Sequence, residues 1–298
     1  MKNVIVVGVG EVGKAISRIE QDAGNTVYHV DRDGITTLDD KVAETFPERF
    51  DVMHVNIPAI PEFSSTVRKY SDRYNPNLII INSTLPVGAT RRFADTTSIP
   101  VVHSPIRGIH PNLYEGIKTF VKYVGGYPEA TEVAINHFNS LGLKSFDAGN
   151  SETTELLKLL DTTYYLNNIW FAGQAKAACD AAGVDYNVVY KHANESYNDG
   201  YAHLGMSHVV RPVLTPPKDG VGGHCCIENA IILEESKLGD FNHLLKLGKK
   251  YDGDKLNHRP WLYCEARAKM KHSEGIAKKL GVSEEEVTDA LKRHKIFG

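Results

Sequence analysis

Val4-Ile5-Val6-Val7-Gly8-Val9-Gly10-Glu11-Val12-Gly13 decides how this chain folds. A first strand is expected at Asn3 to Val7, where the unbroken β-branched run Val4 to Val7 suits burial on both faces, and Glu11 to Asp22 then carries apolar residues at helical spacing. Gly8, Gly10 and Gly13 form G-x-G-x-x-G at the strand-to-helix turn, the setting in which that spacing has a mechanical meaning. The first glycine permits the tight turn, the second lets the backbone approach a pyrophosphate, and the third lets helix and strand pack closely. Outward from this turn, β-rich runs at Thr26 to Val30, Val52 to Val55, Leu78 to Ile81 and Val101 to His103 alternate with helical runs near Pro61 to Tyr74 and Gly88 to Thr96. That alternation predicts an α/β fold whose N-terminal part is a Rossmann-type, doubly wound, mainly parallel sheet. Phe120 to Val124 and Lys144 to Asp147 are expected to extend it.

The texture changes after Ser151. Glu152 to Ala182 has apolar residues at helical spacing, no proline, and no glycine before Gly173. Such a helix is too long for one crossover. It is expected to join two domains, a dinucleotide-binding domain over 1–150 and a mainly helical domain over 151–298, and to offer its free face to a second copy in a homodimer. Beyond Val184 the chain reads as mostly helical around one Pro- and Gly-rich loop, Arg211 to Gly223.

Composition excludes more than it selects. With 298 residues, 42% hydrophobic and 24% charged residues and a formal net charge of -3, the chain has the balance of a globular enzyme and no excess of positive charge for a polyanion. The tail from Ile276 to Leu291 reads as a helical hairpin with Gly281 as stop and Ser283 as N-cap. Glu284, Glu285 and Glu286 would face phosphates there, so nucleic acid is not expected as a partner. Cys179, Cys225, Cys226 and Cys264 lack metal-ligand spacing. No leader or membrane span is read, and a reducing, cytoplasmic setting is expected.

The cofactor expected at the glycine turn is NAD. Asp31 ends the second β-rich run at about the ~20-residue distance where a carboxylate accepts ribose hydroxyls and repels a 2′-phosphate, while Arg32 beside it works against that preference. The expected cofactor site therefore comprises Gly8, Val9, Gly10, Glu11, Val12, Gly13, Asp31 and Arg32. Asn56, Ile57, Pro58, Ser83 and Thr84 join it from the ends of later strands.

Three further segments stand out: Asn82 to Gly88 after the fourth strand, Glu155-Leu156-Leu157-Lys158 on the long helix, and Gly220-Val221-Gly222-Gly223-His224-Cys225 in the late loop. Together they resemble the UDP-glucose/GDP-mannose dehydrogenase family, the nucleotide-sugar 6-dehydrogenases. The late loop is nearest the UDP-N-acetylmannosamine dehydrogenase branch. The resemblance runs from Met1 to about Cys264, and the family's C-terminal nucleotide-holding domain has no counterpart in this sequence. It implies a CH–OH oxidation with Cys225 as covalent nucleophile, Lys158 as the cation beside the developing oxyanion, and Thr84 as a residue positioning water. Gly222, Gly223 and Lys158 would border a small-molecule substrate, a sugar nucleotide or a related sugar or hydroxy acid. The chain departs from the family at Ile106, where a glutamate follows Ser-Pro, at Thr162, where an asparagine follows the lysine, and at Asn229, where an aspartate follows the cysteine.

Read from the residues alone, each role has a plainer alternative. Cys225 fits a nucleophile or a small core residue. His224 fits a thiolate partner or a turn cap. Lys158 fits a site cation or a surface charge, and Thr84 a site residue or a cap before Pro86. A single-step β-hydroxyacid-type dehydrogenase with Lys158 as acid or base, and a non-catalytic NAD-binding regulator, therefore stand beside the covalent oxidation.

Overall fold

The computed structural model describes residues 1–34, 36–38, 41–108, 112–217, 226–241 and 243–244. Their contacts divide them into two compact units, Met1–Lys158 and the residues from Leu159 onward.

The first unit is a sheet with helices on both faces. In chain order it holds β1 (Asn3–Val7), α1 (Glu11–Asp22), β2 (Thr26–Val30), β3 (Thr36–Leu38), β4 (Lys41–Val42), β5 (Val52–Val55), α2 (Phe63–Tyr74), β6 (Ile79–Ile81), α3 (Ala89–Ala94), β7 (Val101–His103), α4 (Leu113–Thr119), β8 (Lys122–Gly126), α5 (Pro128–Ser140), β9 (Ser145–Asp147) and the start of α6 (Ser151–Ala182). Among the described residues the strands lie in the order β4-β3-β2-β1-β5-β6-β7-β8-β9. The five strands β2, β1, β5, β6 and β7 are parallel; β3 runs against β2 and β4, and β8 against β7, while β9 is parallel to β8. Strand order reverses between β1 and β5, which opens a crevice at their C-terminal ends.

The doubly buried strands explain the continuous apolar runs. Val4, Val6, Ile80 and Val102 pack with Ile16 and Ile19 of α1 and Ala134 and Phe138 of α5. Ile5, Val7, Met53 and Ile81 face the other way, onto Phe63, Val67 and Tyr70 of α2. The structure bears out the Rossmann-type sheet and its first two strands to the residue.

Several elements differ from expectation. The hairpin β3–β4 and helices α4 and α5 were not foreseen. The strand expected at Phe120 to Val124 begins two residues later and runs through Gly125 and Gly126. Glycines ordinarily weaken a strand, but a Cβ on Gly125 would lie 2.3 Å from Asn150 O and one on Gly126 2.9 Å from Val101 O. Close backbone packing selects glycine at both places.

In the second unit α6 continues through Gly173 to Ala182. A turn of π-helix at Asn187–His192 leads directly into α7 (Ala193–His203), and α8 (Cys226–Glu235) follows. Two small cores form here, one of Leu166, Ala230 and Leu244 and one of Ala172, Cys179, Tyr186 and Tyr190. Among the described residues no helix is long and apolar enough to cross a membrane.

Candidate active site

The glycine turn gives each glycine a different reason. Gly8 has φ +86°, donates its N–H to Val30 O at 2.9 Å, and would place a Cβ 2.8 Å from Asn56 O. On Gly13 a Cβ would fall 2.0 Å from Gly8 O, so helix and turn touch backbone to backbone. Gly10 meets nothing within 4 Å. It stands at the N-cap of α1, with no side chain capping the first N–H groups. An open glycine beside uncapped, dipole-aligned donors fits a pyrophosphate. Asp31 folds back onto this turn: its Oδ2 accepts from Val9 N at 2.9 Å and its Oδ1 from Arg32 N at 2.7 Å. An ionised carboxylate has about four acceptor sites, so ribose hydroxyls would still find lone pairs there.

Two asparagines tie the ends of β1, β5 and β6 together. Asn56 N donates to Val7 O at 2.8 Å, and Asn82 Nδ2 donates to Asn56 Oδ1 at 3.0 Å. Ile57 sits against Gly8, its Cγ2 3.1 Å from where a Cβ would be, and Pro58 is exposed. Ser83 is buried with its hydroxyl on Val55 O at 3.3 Å, whereas Thr84 is half-buried.

The first two turns of α6 clip the neighbouring loops. Thr154 Oγ1 pairs with His103 Nδ1 at 2.8 Å, and His103 Nε2 donates to Ser83 O at 3.0 Å. Glu155, fully buried, accepts from Gly88 N at 2.5 Å and Thr90 N at 2.8 Å. Lys158 Nζ donates to Ile106 O at 2.8 Å. Lys158 is therefore tied to the loop after β7, and Thr84 lies in the loop after β6 between Ser83 and Gly88, whose backbones these bonds hold. Burial drives the His103 imidazole down to about 3, so the ring is neutral.

The departures from the family take a physical form. Ile106 is 6% exposed and packs in the core, so that residue serves the edge through its carbonyl alone. Asn229 Nδ2 donates to Thr162 Oγ1 at 2.9 Å, so the residues at two of the family's polar positions satisfy each other. Cys225, His224, Gly222 and Gly223 lie outside the described residues. Cys226 opens α8 against the Leu166 core.

Sequence reasoning missed a buried polar chain. Glu20 Oε1 accepts from His54 Nε2 at 2.8 Å and from His137 Nε2 at 2.7 Å, with all three side chains within the core. Asn82 Nδ2 meets His54 Nδ1 at 3.2 Å, and Lys2 Nζ donates to His137 Nδ1 at 3.0 Å. The ligand atoms of Glu20, His54 and His137 lie within 4.8 Å of one another. With donors on both Nδ1 atoms, however, each Nε2 carries its proton toward Glu20, which leaves no lone pair for a metal. Burial lowers the His54 imidazole below its ordinary value, and the two imidazoles hold the Glu20 carboxylate ionised far below the usual range despite burial. The signal was present as Glu20 on the apolar face of α1 and His54 inside an otherwise apolar strand.

The sheet order and the glycine turn define a Rossmann-type α/β protein, and likeness to solved structures agrees. UDP-D-ManNAc dehydrogenase from Pyrococcus horikoshii superposes with a TM-score of 0.66 over 94% of this chain and 72% of its own, at 18% identity. 3-Hydroxyisobutyrate dehydrogenase from Mycobacterium tuberculosis gives 0.62 over 85% of this chain and 94% of its own, at 17% identity. In sequence the chain resembles the UDP-N-acetyl-D-mannosamine dehydrogenases, the branch to which the late loop pointed. It is 28% identical to that of Methanococcus maripaludis (strain S2) over 169 residues, which is 55% of this chain. To that of Campylobacter jejuni it is 24% identical over 249 residues, 75% of this chain. The matched region spans 36% of the former protein and 57% of the latter. No family model matches the chain.

Proposed function

We propose that this chain is an NAD-dependent oxidoreductase acting on a CH–OH group of a nucleotide sugar or a related sugar or hydroxy acid. The observation that carries the reading is the glycine turn: crowded at Gly8 and Gly13 and open at Gly10, beside the uncapped start of α1. Gly10 and the first N–H groups of α1 would hold the pyrophosphate and Asp31 the ribose hydroxyls. Asn56, Ser83 and Thr84 would border the nicotinamide half. NAD held there supplies the hydride acceptor for the carbinol carbon. Lys158, fixed on Ile106 O, places an ammonium at the same edge, where it would stabilise a developing alkoxide. By resemblance, the Cys225 thiolate adds to the aldehyde carbonyl to give a thiohemiacetal, whose oxidation yields a thioester that water cleaves.

A single-step oxidation is the second reading, favoured by the buried Ile106 and the Asn229–Thr162 bond, which leave neutral groups where the family carries carboxylates. Stoichiometry with UDP-N-acetyl-D-mannosamine as probe separates the two. Covalent chemistry yields two NADH per sugar, with a burst and slow thioester release, and Cys225→Ser stops at one. A single step yields one NADH, and Cys225→Ser is silent. NAD binding without turnover of the probe or of simple hydroxy acids would favour a regulator.

Asp31→Ala is expected to relax the preference for NAD over NADP, because it removes both the ribose acceptor and the charge that repels a 2′-phosphate. Calorimetry in which NADP binds the wild-type protein more tightly than NAD would sink this assignment.

A homodimer through α6 completes the reading. Leu160, Tyr164 and Phe171 are 43%, 64% and 57% exposed and share one stripe of the helix. Light scattering is expected to give a dimer at micromolar concentration, and Tyr164→Lys with Phe171→Glu a monomer. A wild-type monomer would contradict the assignment.

A further inference from the structure

At the same loop as Lys158 there is a second lysine, Lys122. Because β8 runs against β7, its first residue, Lys122, stands where β7 ends. Lys122 is 2% exposed. Its Nζ donates to Ser104 O at 2.7 Å, Pro105 O at 3.3 Å and Asn82 Oδ1 at 3.4 Å. Lys158 holds the next carbonyl, Ile106 O. Two amines thus hold three successive carbonyls of one loop. Among the described residues no carboxylate pairs with Lys122. The titratable groups facing it are His54 from β5, His103 from β7 and Lys158 from α6. Helix α5 presents the Phe138 ring, whose centroid is 5.2 Å from Nζ. Glu20 of α1 lies one hydrogen bond further, behind His54.

A dinucleotide lies across the switch point with one half on each side. The glycine turn and Asp31 take the adenosine half, so the nicotinamide half falls toward β5, β6 and β7, the side that Asn82 and Lys122 underlie. That ring carries a positive charge in NAD⁺ and none in NADH.

We propose that Lys122 is a positioning residue that braces the Ser104–Ile106 loop under the nicotinamide half and biases the site toward NADH whenever its amine is charged. The inference rests on the cofactor reading above. Burial, with Lys158 nearby, lowers the Lys122 amine to about 7, so its charge changes near neutral pH. One elementary charge in a protein interior, at a separation on the order of ten ångströms, alters the binding of a cation by roughly 10-fold, which sets the scale of the effect looked for.

The test is the ratio of the dissociation constants of NAD⁺ and NADH, measured by calorimetry and NADH fluorescence between pH 6 and 8.5. In the wild-type protein the ratio is expected to fall about 10-fold as pH rises through 7. In Lys122→Met it should be low and flat. In Lys122→Arg, which keeps the charge and some of the bracing bonds, it should be high and flat. A flat ratio in the wild type, or an undiminished pH dependence in Lys122→Met or Lys122→Arg, would overturn the proposal while leaving the cofactor site intact. Failure of both coenzymes to bind the wild type would remove the cofactor reading and this inference with it.

Discussion

Gly13→Ala is expected to lose stability and coenzyme binding together, while Gly10→Ala loses binding alone. A methyl on Gly13 would sit 2.0 Å from Gly8 O, a backbone atom with nowhere to move, since Gly8 is itself held on Val30 O and crowded by Asn56 O. Relief requires α1 to lift from β1, opening the Ile16 and Ile19 side of the core. Overpacking of this kind costs about 3 kcal/mol or more, which lowers the Tm of a unit this size by roughly 6–12 °C. A methyl on Gly10 meets nothing, and its φ of -69° suits any residue, so melting should be nearly unchanged. The same methyl would stand where the pyrophosphate approaches, so NAD affinity should fall by at least about 10-fold. Thermal melts and calorimetry on the two variants decide the matter. Equal melting losses, or full NAD binding by Gly10→Ala, would contradict the assignment of roles.

Mild acid is expected to destabilise the protein well above the pH at which carboxylates titrate. His103 falls from its ordinary 6.5 to about 3 in the fold, through burial, and His54 is lowered for the same reason. A depressed folded value means that the unfolded chain binds the proton first. Stability is therefore complete above about 6.5 and declines as pH falls toward the folded value. One pH unit corresponds to about 1.4 kcal/mol, so His103 alone removes about 2 kcal/mol by pH 5. His54 adds to that in the same direction. Glu20, also depressed, contributes stability that is present above its ordinary carboxylate value and is lost only in stronger acid. Urea midpoints at pH 7.5 and pH 5 measure this. An unchanged midpoint would show that neither imidazole is held neutral, and His103→Gln should flatten part of the slope.

How much of this was legible follows from what each element is made of. Strands β1 and β2 and helix α1 could be bounded from the sequence because apolar periodicity, glycine spacing and turn chemistry all agree there. Helix α5 and the hairpin β3–β4 could not. The first has polar residues such as His137 turned inward, and the second is short and mixed in character. The loops that bring Asn56, Ser83 and Thr84 to one sheet edge follow the C-terminal ends of parallel strands, which βαβ alternation implies, whereas Lys158 reaches the loop after β7 from helix α6. Lys122 and His103 were invisible because a titratable residue in a strand ordinarily faces solvent. Their burial depends on β8 doubling back beside β7, a reversal that no local pattern announces.

The clip at the start of α6 also bears on how this chain could be recombined with others. Thr154, Glu155 and Lys158 serve the sheet's loops, so the helix has two owners along its length. A graft that exchanged the whole spine, from Ser151 on, would strip the amides of Gly88 and Thr90 of their buried acceptor and leave His103 Nδ1 without its partner. The seam for chimeras falls inside the helix, past Lys158, where a foreign second half could be fused in register onto a native first two turns.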